Sequence, residues 1–164
     1  MQQKPVIRPV SPSDLDAVSA IEAECFPAAE AASRAALEER IKTYPEHFFV
    51  LESEGRVVGF INGMVTSSGT ISDAMFVDAS LHEETGAWQA VFGLDVLPSH
   101  RHRGYAAKLI EHFTAHARSE GRRGVILTCK ENLIGYYQRF GFVDLGVSAS
   151  VHGGAAWHDM ALRF

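Results

Sequence analysis

The hydrophobic and polar positions of this chain recur at helical spacing in some segments and at strand spacing in others. Residues 6–10 predict a short strand. Ser11-Pro12-Ser13-Asp14 follows it and is typical of a helix start, because Ser11 can cap the helix and Pro12 suits its first turn. An apolar stripe continues this helix until Phe26-Pro27. Ser33 is the expected cap of a second helix, which ends before Pro45.

The remainder of the chain predicts a mixed sheet with two more helices. The predicted elements are a hairpin of strands 48–52 and 56–66, a connection 67–89, a strand 90–97, a loop 98–104, a helix 105–119, a strand 124–128, a helix 132–140 and a closing strand pair 142–147 and 156–164. Hairpins beside strand–helix–strand crossovers indicate an α/β fold. The connection 67–89 is long enough to suggest a functional role.

The composition is that of one folded domain spanning 1–164. Of 164 residues, 46% are hydrophobic and 21% charged, which allows a buried core. No apolar run approaches the roughly 18 residues of a membrane-spanning helix, and no secretory signal is recognisable. Cys25 and Cys129 are too few for a disulfide framework and fit no zinc motif, so we expect buried thiols. A cytoplasmic protein without a membrane partner is therefore expected.

The two halves of the chain differ in charge. Residues 1–89 carry 14 acidic and 6 basic side chains, whereas residues 90–164 carry 6 acidic and 9 basic ones. The first half is suited to a cationic ligand and the second to an anionic one, although scatter between solvated faces gives the same numbers. The net charge of −5 argues against nucleic acid as a partner.

The loop 98–104 carries a chemical signal. It is basic and opens onto the predicted helix at Gly104, where the first helical amides and the helix dipole can hold an anion. Gly104 lets a phosphate approach the backbone, and Arg101 and Arg103 can add charge-assisted hydrogen bonds. The loop matches neither a P-loop nor a dinucleotide fingerprint. Taken alone, the pattern equally fits a structural loop with surface arginines.

A second motif near the end of the chain makes the pattern specific. Arg101-His102-Arg103-Gly104-Tyr105-Ala106 is followed, in the next strand–helix unit, by Tyr137-Gln138-Arg139-Phe140-Gly141-Phe142. With both motifs at these elements, nearly the whole chain resembles the GNAT superfamily of acyl-CoA-dependent N-acyltransferases. The resemblance implies a single-domain fold with a mixed central sheet of about six to seven strands, splayed strands four and five, and about four flanking helices. It also implies acetyl-CoA as co-substrate.

The resemblance assigns roles to individual residues. Those implied to contact acetyl-CoA are Leu94, Asp95 and Val96, whose backbones pair with the pantetheine arm, and Arg101, His102, Arg103, Gly104, Tyr105, Ala106 and Ala107, which hold the pyrophosphate. Tyr137 is implied to give a proton to the departing thiolate; Tyr136 points about 100 degrees away around the helix. Phe26 and Pro27 are implied to wall the amine pocket.

A closer likeness is to the arylalkylamine (serotonin) N-acetyltransferases. It rests on Val58-Gly59-Phe60-Ile61-Asn62-Gly63 and on Leu94-Asp95-Val96-Leu97. Ala90 and Phe92 stand where that branch has a His-x-His, so its proton path does not carry over. The base is left open between a water chain through this region and side chains that no motif places. These side chains are His82, Glu83, Glu84, His152 and His158.

The favoured function is acetyl-CoA-dependent acetylation of a small apolar or aromatic primary amine, by a monomer or homodimer. The connections that could line its pocket carry Phe26, Met75, Phe76 and Trp88. The alternatives are acetylation of a protein or peptide and a non-catalytic CoA-binding module. No metal site is expected, because the pairs His100/His102 and His112/His116 lack a third ligand at matching spacing.

Overall fold

The structure, a computed structural model, describes residues 4–164 and contains nine strands in that range. In chain order they are β1 (Val6–Pro9), β2 (Phe48–Ser53), β3 (Arg56–Asn62), β4 (Val65–Thr66), β5 (Trp88–Val91), β6 (Gly93–Val96), β7 (Gly124–Cys129), β8 (Val143–Val147) and β9 (His158–Arg163). One sheet has the order β1-β2-β3-β6 and the other β4-β5-β7-β9-β8. Neighbouring strands are antiparallel except β5 and β7. The predicted mixed α/β fold is confirmed.

Five α-helices in the same range flank the sheets, and none is long and apolar enough to cross a membrane. They are α1 (Leu15–Cys25), α2 (Arg34–Thr43), α3 (Asp73–Val77), α4 (Tyr105–Ser119) and α5 (Ile134–Gln138). The predicted cap at Ser33 is confirmed, because its side chain accepts a hydrogen bond from the Ala36 amide at 3.1 Å. Before α1, Asp14 answers the predicted cap residue by accepting a hydrogen bond from the Ser11 amide at 2.8 Å. The sequence does not predict α3, because five residues are too few to show a helical period.

The sheet divides where two predicted strands each break in two. The predicted strand 56–66 becomes β3 and β4, and the predicted strand 90–97 becomes β5 and β6. A Cβ on Gly63 would lie 1.8 Å from the carbonyl oxygen of Ala90, so this close crossing of backbones requires glycine. The buried Gln89 amide donates to three backbone carbonyls around the crossing, at 2.9, 3.1 and 3.0 Å.

The division opens a gap between β6 and β7. β5 pairs with β7 as far as Val91 and Leu127, after which β6 pairs with β3 instead. The β5–β6 segment and β7 are therefore the two strands that the resemblance expects to splay. Both α1 and α4 pack on β3 and β6, and the main apolar core lies between these layers. The ends of α1, α3 and α5 meet at the gap.

Candidate active site

A cavity of about 150 Å³ occupies the gap between β6 and β7. Its wall combines aromatic rings with carboxylates. The rings are those of Phe26, Phe76, Phe92, Tyr137, His152 and Trp157, and the carboxylates are those of Glu22, Glu30 and Asp73. Two of the carboxylates already have partners. Glu30 pairs with Lys130 at 2.8 Å, and Asp73 accepts hydrogen bonds from the Ser150 hydroxyl and the Val151 amide.

Glu22 is the carboxylate that remains available. It comes from the buried face of α1 and is 3% exposed. Oε2 accepts a hydrogen bond from the Ala32 amide at 2.8 Å, whereas the buried Oε1 receives no N–H donor from the described residues and has the carboxyl of Asp95 as its neighbour. A buried carboxylate oxygen at a cavity wall that no N–H group occupies can accept a proton or a cationic group from the cavity.

Asp95 on β6 lies beside Glu22. A Cβ on Gly93 would be 3.2 Å from Oδ1 of Asp95 and 3.6 Å from Oε1 of Glu22, so both oxygens border one small space. Burial, reinforced by the charge of Glu22, raises the pKa of Asp95 well above its usual range. The raised pKa favours one shared proton, and hence a single negative charge, on the Glu22–Asp95 pair.

Arg40 balances that charge from behind the aromatic wall. The side chain is 2% exposed and donates hydrogen bonds to Asn62 Oδ1 at 3.1 Å and to the Phe76 carbonyl at 2.7 Å. Its guanidinium lies 4.6 Å from the ring centroid of Phe76 and 5.2 Å from that of Phe92. Burial lowers the pKa of Arg40, but an arginine stays protonated in proteins.

Tyr137 reaches the cavity from α5. The ring of Tyr136 packs against Phe140 instead, with centroids 5.3 Å apart. Burial raises the pKa of Tyr137, so its hydroxyl is a hydrogen-bond donor throughout the physiological range. Cys129 also lines the cavity; burial raises its pKa to about 11, which keeps it a thiol and a poor nucleophile.

The loop before α4 leaves an open space at the helix start. Gly104 has a left-handed φ of +77°, and nothing lies within 4 Å of where its Cβ would be. The backbone hydrogen bonds of α4 begin with the Lys108 amide, which donates to Gly104 at 3.1 Å. The amides of Tyr105, Ala106 and Ala107 therefore remain available to an anion at the positive end of the helix dipole.

Comparison with family models decides the identity. Residues 15–142, most of the chain, match the model described as the Acetyltransferase (GNAT) family. The chain belongs to the GNAT family. Acetyl-CoA is its co-substrate, since members of the family are acetyltransferases and have been solved with acetyl-CoA bound. The chain is accordingly an acyltransferase.

Solved structures share this GNAT fold. The GphF GNAT-like decarboxylase in complex with isobutyryl-CoA is 27% identical, with 96% of this chain and 98% of that chain covered and a TM-score of 0.84. The loading GNATL domain of CurA from Lyngbya majuscula is 17% identical, with 98% of each chain covered and a TM-score of 0.85. The ribosomal-protein-S18-alanine N-acetyltransferase from Escherichia coli is 18% identical, with 98% and 94% covered and a TM-score of 0.72.

In this GNAT chain, β6 offers alternate backbone groups to the gap. The Leu97 amide donates to a carbonyl of β3 at 2.9 Å, and since antiparallel pairs alternate, Asp95 occupies the next hydrogen-bonded pair with β3. The backbones of Leu94 and Val96 therefore point away from β3 and towards the gap. The prediction for Asp95 is corrected: its backbone faces β3, and its buried carboxyl lies beside Glu22.

The predicted pyrophosphate residues form one open, basic turn. Arg101 bends back, and its Nε donates to the Val96 carbonyl at 3.1 Å, which fastens the turn to the end of β6. His102 and Arg103 are exposed, and His102 has a φ of +64°. The Tyr105 hydroxyl lies 3.3 Å from a serine hydroxyl of β2. The side chains that remain free for phosphate are those of His102 and Arg103, together with the Nη groups of Arg101.

Changing Gly104 to glutamate should weaken acetyl-CoA binding about 10- to 150-fold, the equivalent of losing one charged hydrogen bond. The new side chain would fill the space at the helix start and repel the pyrophosphate. Gly121→Glu is a matched control, because Gly121 follows the same helix with a φ of +75° and equally empty surroundings. Calorimetric titration of both variants with acetyl-CoA measures the difference; equal losses would indicate backbone strain instead of a phosphate site.

Some predicted pocket residues lie elsewhere. Phe26 and Phe76 line the cavity, but Pro27 is exposed in the turn after α1. Trp88 packs against a small apolar cluster of Ala90, Ile126 and Ala161, apart from the cavity. The tryptophan that lines the cavity is Trp157. Met75 precedes Phe76 on α3 and so faces another direction.

The predicted sources of a base lie in different places. Ala90 is fully buried, and Phe92 lines the cavity and packs on Phe76, so apolar side chains border the region of the expected water path. His152 lines the cavity, with Nε2 bonded to the Glu30 carbonyl at 2.7 Å. The remaining candidates lie outside the cavity wall: His82 contacts Glu84, Glu83 contacts Ser67, and His158 contacts Asp144.

Sequence reasoning missed Glu22, although the sequence contains a signal. Glu22 follows Val18 by four residues and Ile21 by one, so it stands within the apolar stripe of α1. A charged residue in such a stripe is buried with the stripe. Arg40 likewise lies within the apolar stripe of α2, three residues after Leu37 and one before Ile41.

Replacing Asp95 with asparagine should remove a pH dependence from the stability of the fold. The folded-state pKa of Asp95 is raised, so its contribution to stability is complete below the unfolded pKa of about 3.9 and is lost as the pH rises through the folded pKa. Asparagine mimics the protonated carboxyl without ionising. The unfolding free energy of Asp95→Asn should therefore increase relative to that of wild type as the pH rises from about 4, by up to ~1.4 kcal/mol per pH unit. The Tm of the variant should rise relative to that of wild type in the same direction.

Asp144→Asn is the control of opposite sign, because the Gly146 amide and His158 lower the pKa of Asp144. The loss of stability caused by Asp144→Asn should be greatest near neutral pH and should become smaller as the solution is acidified. Scanning calorimetry across this range compares the variants. A difference between Asp95→Asn and wild type that does not change with pH would show that Asp95 is ionised in the fold.

Proposed function

We propose that the protein acetylates the primary amine of a small cationic molecule with an apolar or aromatic body. The observation that carries this proposal is the cavity wall, in which Glu22, Glu30 and Asp73 stand among aromatic side chains. Carboxylates attract an ammonium group, and aromatic faces hold both an apolar body and a cationic head. The motifs shared with the arylalkylamine N-acetyltransferases support the same class of acceptor.

Glu22 is the base in this proposal. An alkylammonium has a pKa of about 10 and must lose a proton before its nitrogen can attack. Oε1 of Glu22 accepts that proton, since Oε2 is occupied by the Ala32 amide. Asp95, whose pKa is raised by burial, holds a proton beside it, and the Arg40 guanidinium offsets the negative charge of the pair from behind.

The neutral nitrogen then attacks the thioester carbon and forms the C–N bond while the carbonyl electrons move onto oxygen. Backbone amides of Leu94 and Val96, which face the gap, are the donors for that oxygen. As the intermediate collapses, the C–S bond breaks and its electron pair leaves on sulfur. Tyr137 gives its proton to sulfur and receives the second proton of the nitrogen, which becomes acidic once the C–N bond has formed, so no tyrosinate accumulates despite its raised pKa. The first proton leaves Glu22 for solvent, which restores the resting site.

A panel of amines tests the acceptor class. Thiol release from acetyl-CoA should give the highest kcat/KM with arylalkylamines, and lower values with polyamines, aminoglycosides, amino acids and peptides. An alcohol of the same shape as the best amine should compete weakly, because it lacks the charge that the carboxylates attract. Reaction with peptides or polyamines alone would overturn the proposed acceptor, and binding without thiol release would favour a non-catalytic CoA-binding module.

Decarboxylation of a carboxyacyl-CoA is a second candidate, favoured by the 27% identity to the GphF GNAT-like decarboxylase. In that reaction the C–C bond to the carboxylate breaks, carbon dioxide leaves, and the electron pair stays on the thioester enolate until carbon is protonated. The three carboxylates of the cavity oppose it, because they would repel an anionic acyl group. Conversion of malonyl-CoA to acetyl-CoA without any amine would favour this candidate over amine acetylation.

A further inference from the structure

A cluster of histidines and glutamates lies outside the cavity wall. His47 is fully buried just before β2, and His116 and Glu120 come from the end of α4. Glu84 reaches the cluster from the connection between β4 and β5. None of these four lines the cavity, and the proposed reaction uses none of them. Because they come from three separate segments of the chain, a ligand held among them would tie those segments together.

The spacing of three donor atoms matches one face of a metal tetrahedron. His47 Nδ1 and His116 Nε2 are 3.4 Å apart, His116 Nε2 and Glu120 Oε1 are 3.2 Å apart, and His47 Nδ1 and Glu120 Oε1 are 3.8 Å apart. Zinc bonds of roughly 2.0 to 2.2 Å to nitrogen and oxygen require donors about 3.4 Å apart in a tetrahedron. The three donors can therefore close on one ion with little movement, leaving a fourth position for water.

The surroundings also set the chemical form of the ligands. Glu84 lies 3.0 and 2.8 Å from Nε2 of His47, which fixes the proton on Nε2 and leaves the lone pair of Nδ1 free for a metal. A carboxylate behind a ligating histidine is the usual support of a zinc ligand.

A neighbouring set of donors is less suitable. His47, His82 and Glu84 also lie close together. However, His82 Nδ1 accepts a hydrogen bond from the Val65 amide at 3.0 Å, so its proton is on Nε2, the atom that faces Glu84. A metal at Nε2 would displace the only ring proton of the neutral side chain and leave an imidazolate. Glu84 therefore serves as a support for His47, and His82 stays outside the ligand set.

We propose that His47 Nδ1, His116 Nε2 and Glu120 form a structural site for a divalent zinc ion, separate from the acetyl-transfer site. Two imidazoles and one carboxylate suit zinc better than magnesium, which prefers oxygen ligands. Nη2 of Arg122 lies 3.3 Å from Glu120, while Nη1 donates to two backbone carbonyls. When Glu120 binds the ion, Nη2 can pair with the carboxylate of Glu84 instead. The ion would join the start of β2 to the end of α4.

Titration of the chelator-treated full chain with zinc tests the site. We expect one ion per chain, a rise in Tm with zinc and none with magnesium, and a cobalt derivative with the intense visible bands of tetrahedral coordination. His116→Gln and Glu120→Gln should each weaken zinc binding by more than the roughly 10- to 100-fold that loss of an outer-shell partner costs. His112→Gln is the matched control, one turn earlier on α4 and exposed, and should bind zinc like wild type.

Both ligand variants are on the partly exposed side of the cluster, and both leave the buried His47 and its contact with Glu84 in place. Zinc binding that is absent, or equally strong in His116→Gln and in wild type, would overturn the proposal. Equal losses in His112→Gln and His116→Gln would also overturn it, because they would indicate scattered binding to surface histidines. Thiol release from acetyl-CoA is not needed for any of these readings, so the site and the proposed acetylation can fail independently.

Discussion

Tyr137→Phe is expected to lower kcat about 100- to 10,000-fold while leaving the Kd for acetyl-CoA close to that of wild type. The hydroxyl is proposed to act only as sulfur leaves, so its removal should not affect binding of the thioester. The ring itself is retained, and its packing against Phe142 at 5.9 Å preserves the cavity wall. Steady-state kinetics with the best amine, together with calorimetric binding of acetyl-CoA, separate the two quantities.

Tyr136→Phe is the matched control, because the change removes the same atom one position earlier, where the ring packs against Phe140. Its kcat should stay within a few-fold of wild type. If both variants lose activity equally, or if position 136 matters more, the proton relay has been assigned to the wrong tyrosine.

Glu22→Gln is expected to lower kcat/KM about 100- to 10,000-fold near neutral pH, since it removes the proposed base and the charge that attracts the ammonium. The glutamine oxygen can still accept the Ala32 hydrogen bond, so the turn after α1 should keep its shape. The deficit should shrink as the pH approaches the amine pKa of about 10, where the amine loses its proton without help. The activity of the wild-type protein should rise with pH, and its pH–rate profile should show no inflection at about pH 6.5, where a histidine base would titrate.

Glu24→Gln is the control for this prediction, because Glu24 is exposed on the same helix and takes no part in the cavity wall. A pH–rate profile for each protein measures the effect. A deficit in Glu22→Gln that stays constant up to high pH would mean that Glu22 shapes the site without accepting the proton. A step near about pH 6.5 that disappears in His152→Ala would assign the base to His152 instead.

The sequence was sufficient for those features that depend on local chemistry. The caps at Ser11 and Ser33 follow from side chains that satisfy nearby amides, and the turn at Gly104 follows from a glycine at a helix start. The choice of Tyr137 over Tyr136 combined a family motif with the rotation of a helix, and the structure places the former at the cavity. These signals lie within a few residues of the feature they predict.

The features that were missed depend on contacts between distant segments. The break of two apolar strands at Gly63 and Phe92 is set by the crossing of their backbones, which hydrophobic periodicity does not report. Glu22 and Asp95 are far apart in sequence, and either residue alone reads as an ordinary charged position. Their meaning comes from sharing one buried space, which only the packing of α1 on β6 creates.

The central claim is that the cavity joins an acetyl-CoA thioester to a small cationic amine. Incubation with acetyl-CoA labelled in the acetyl group and the best arylalkylamine, followed by mass spectrometry of the small molecules, tests it most directly. Labelled N-acetylamine and free CoA should form in equal amounts, and malonyl-CoA should remain intact in a parallel reaction. Carbon dioxide and acetyl-CoA from malonyl-CoA, with no acetylated amine in either reaction, would contradict it.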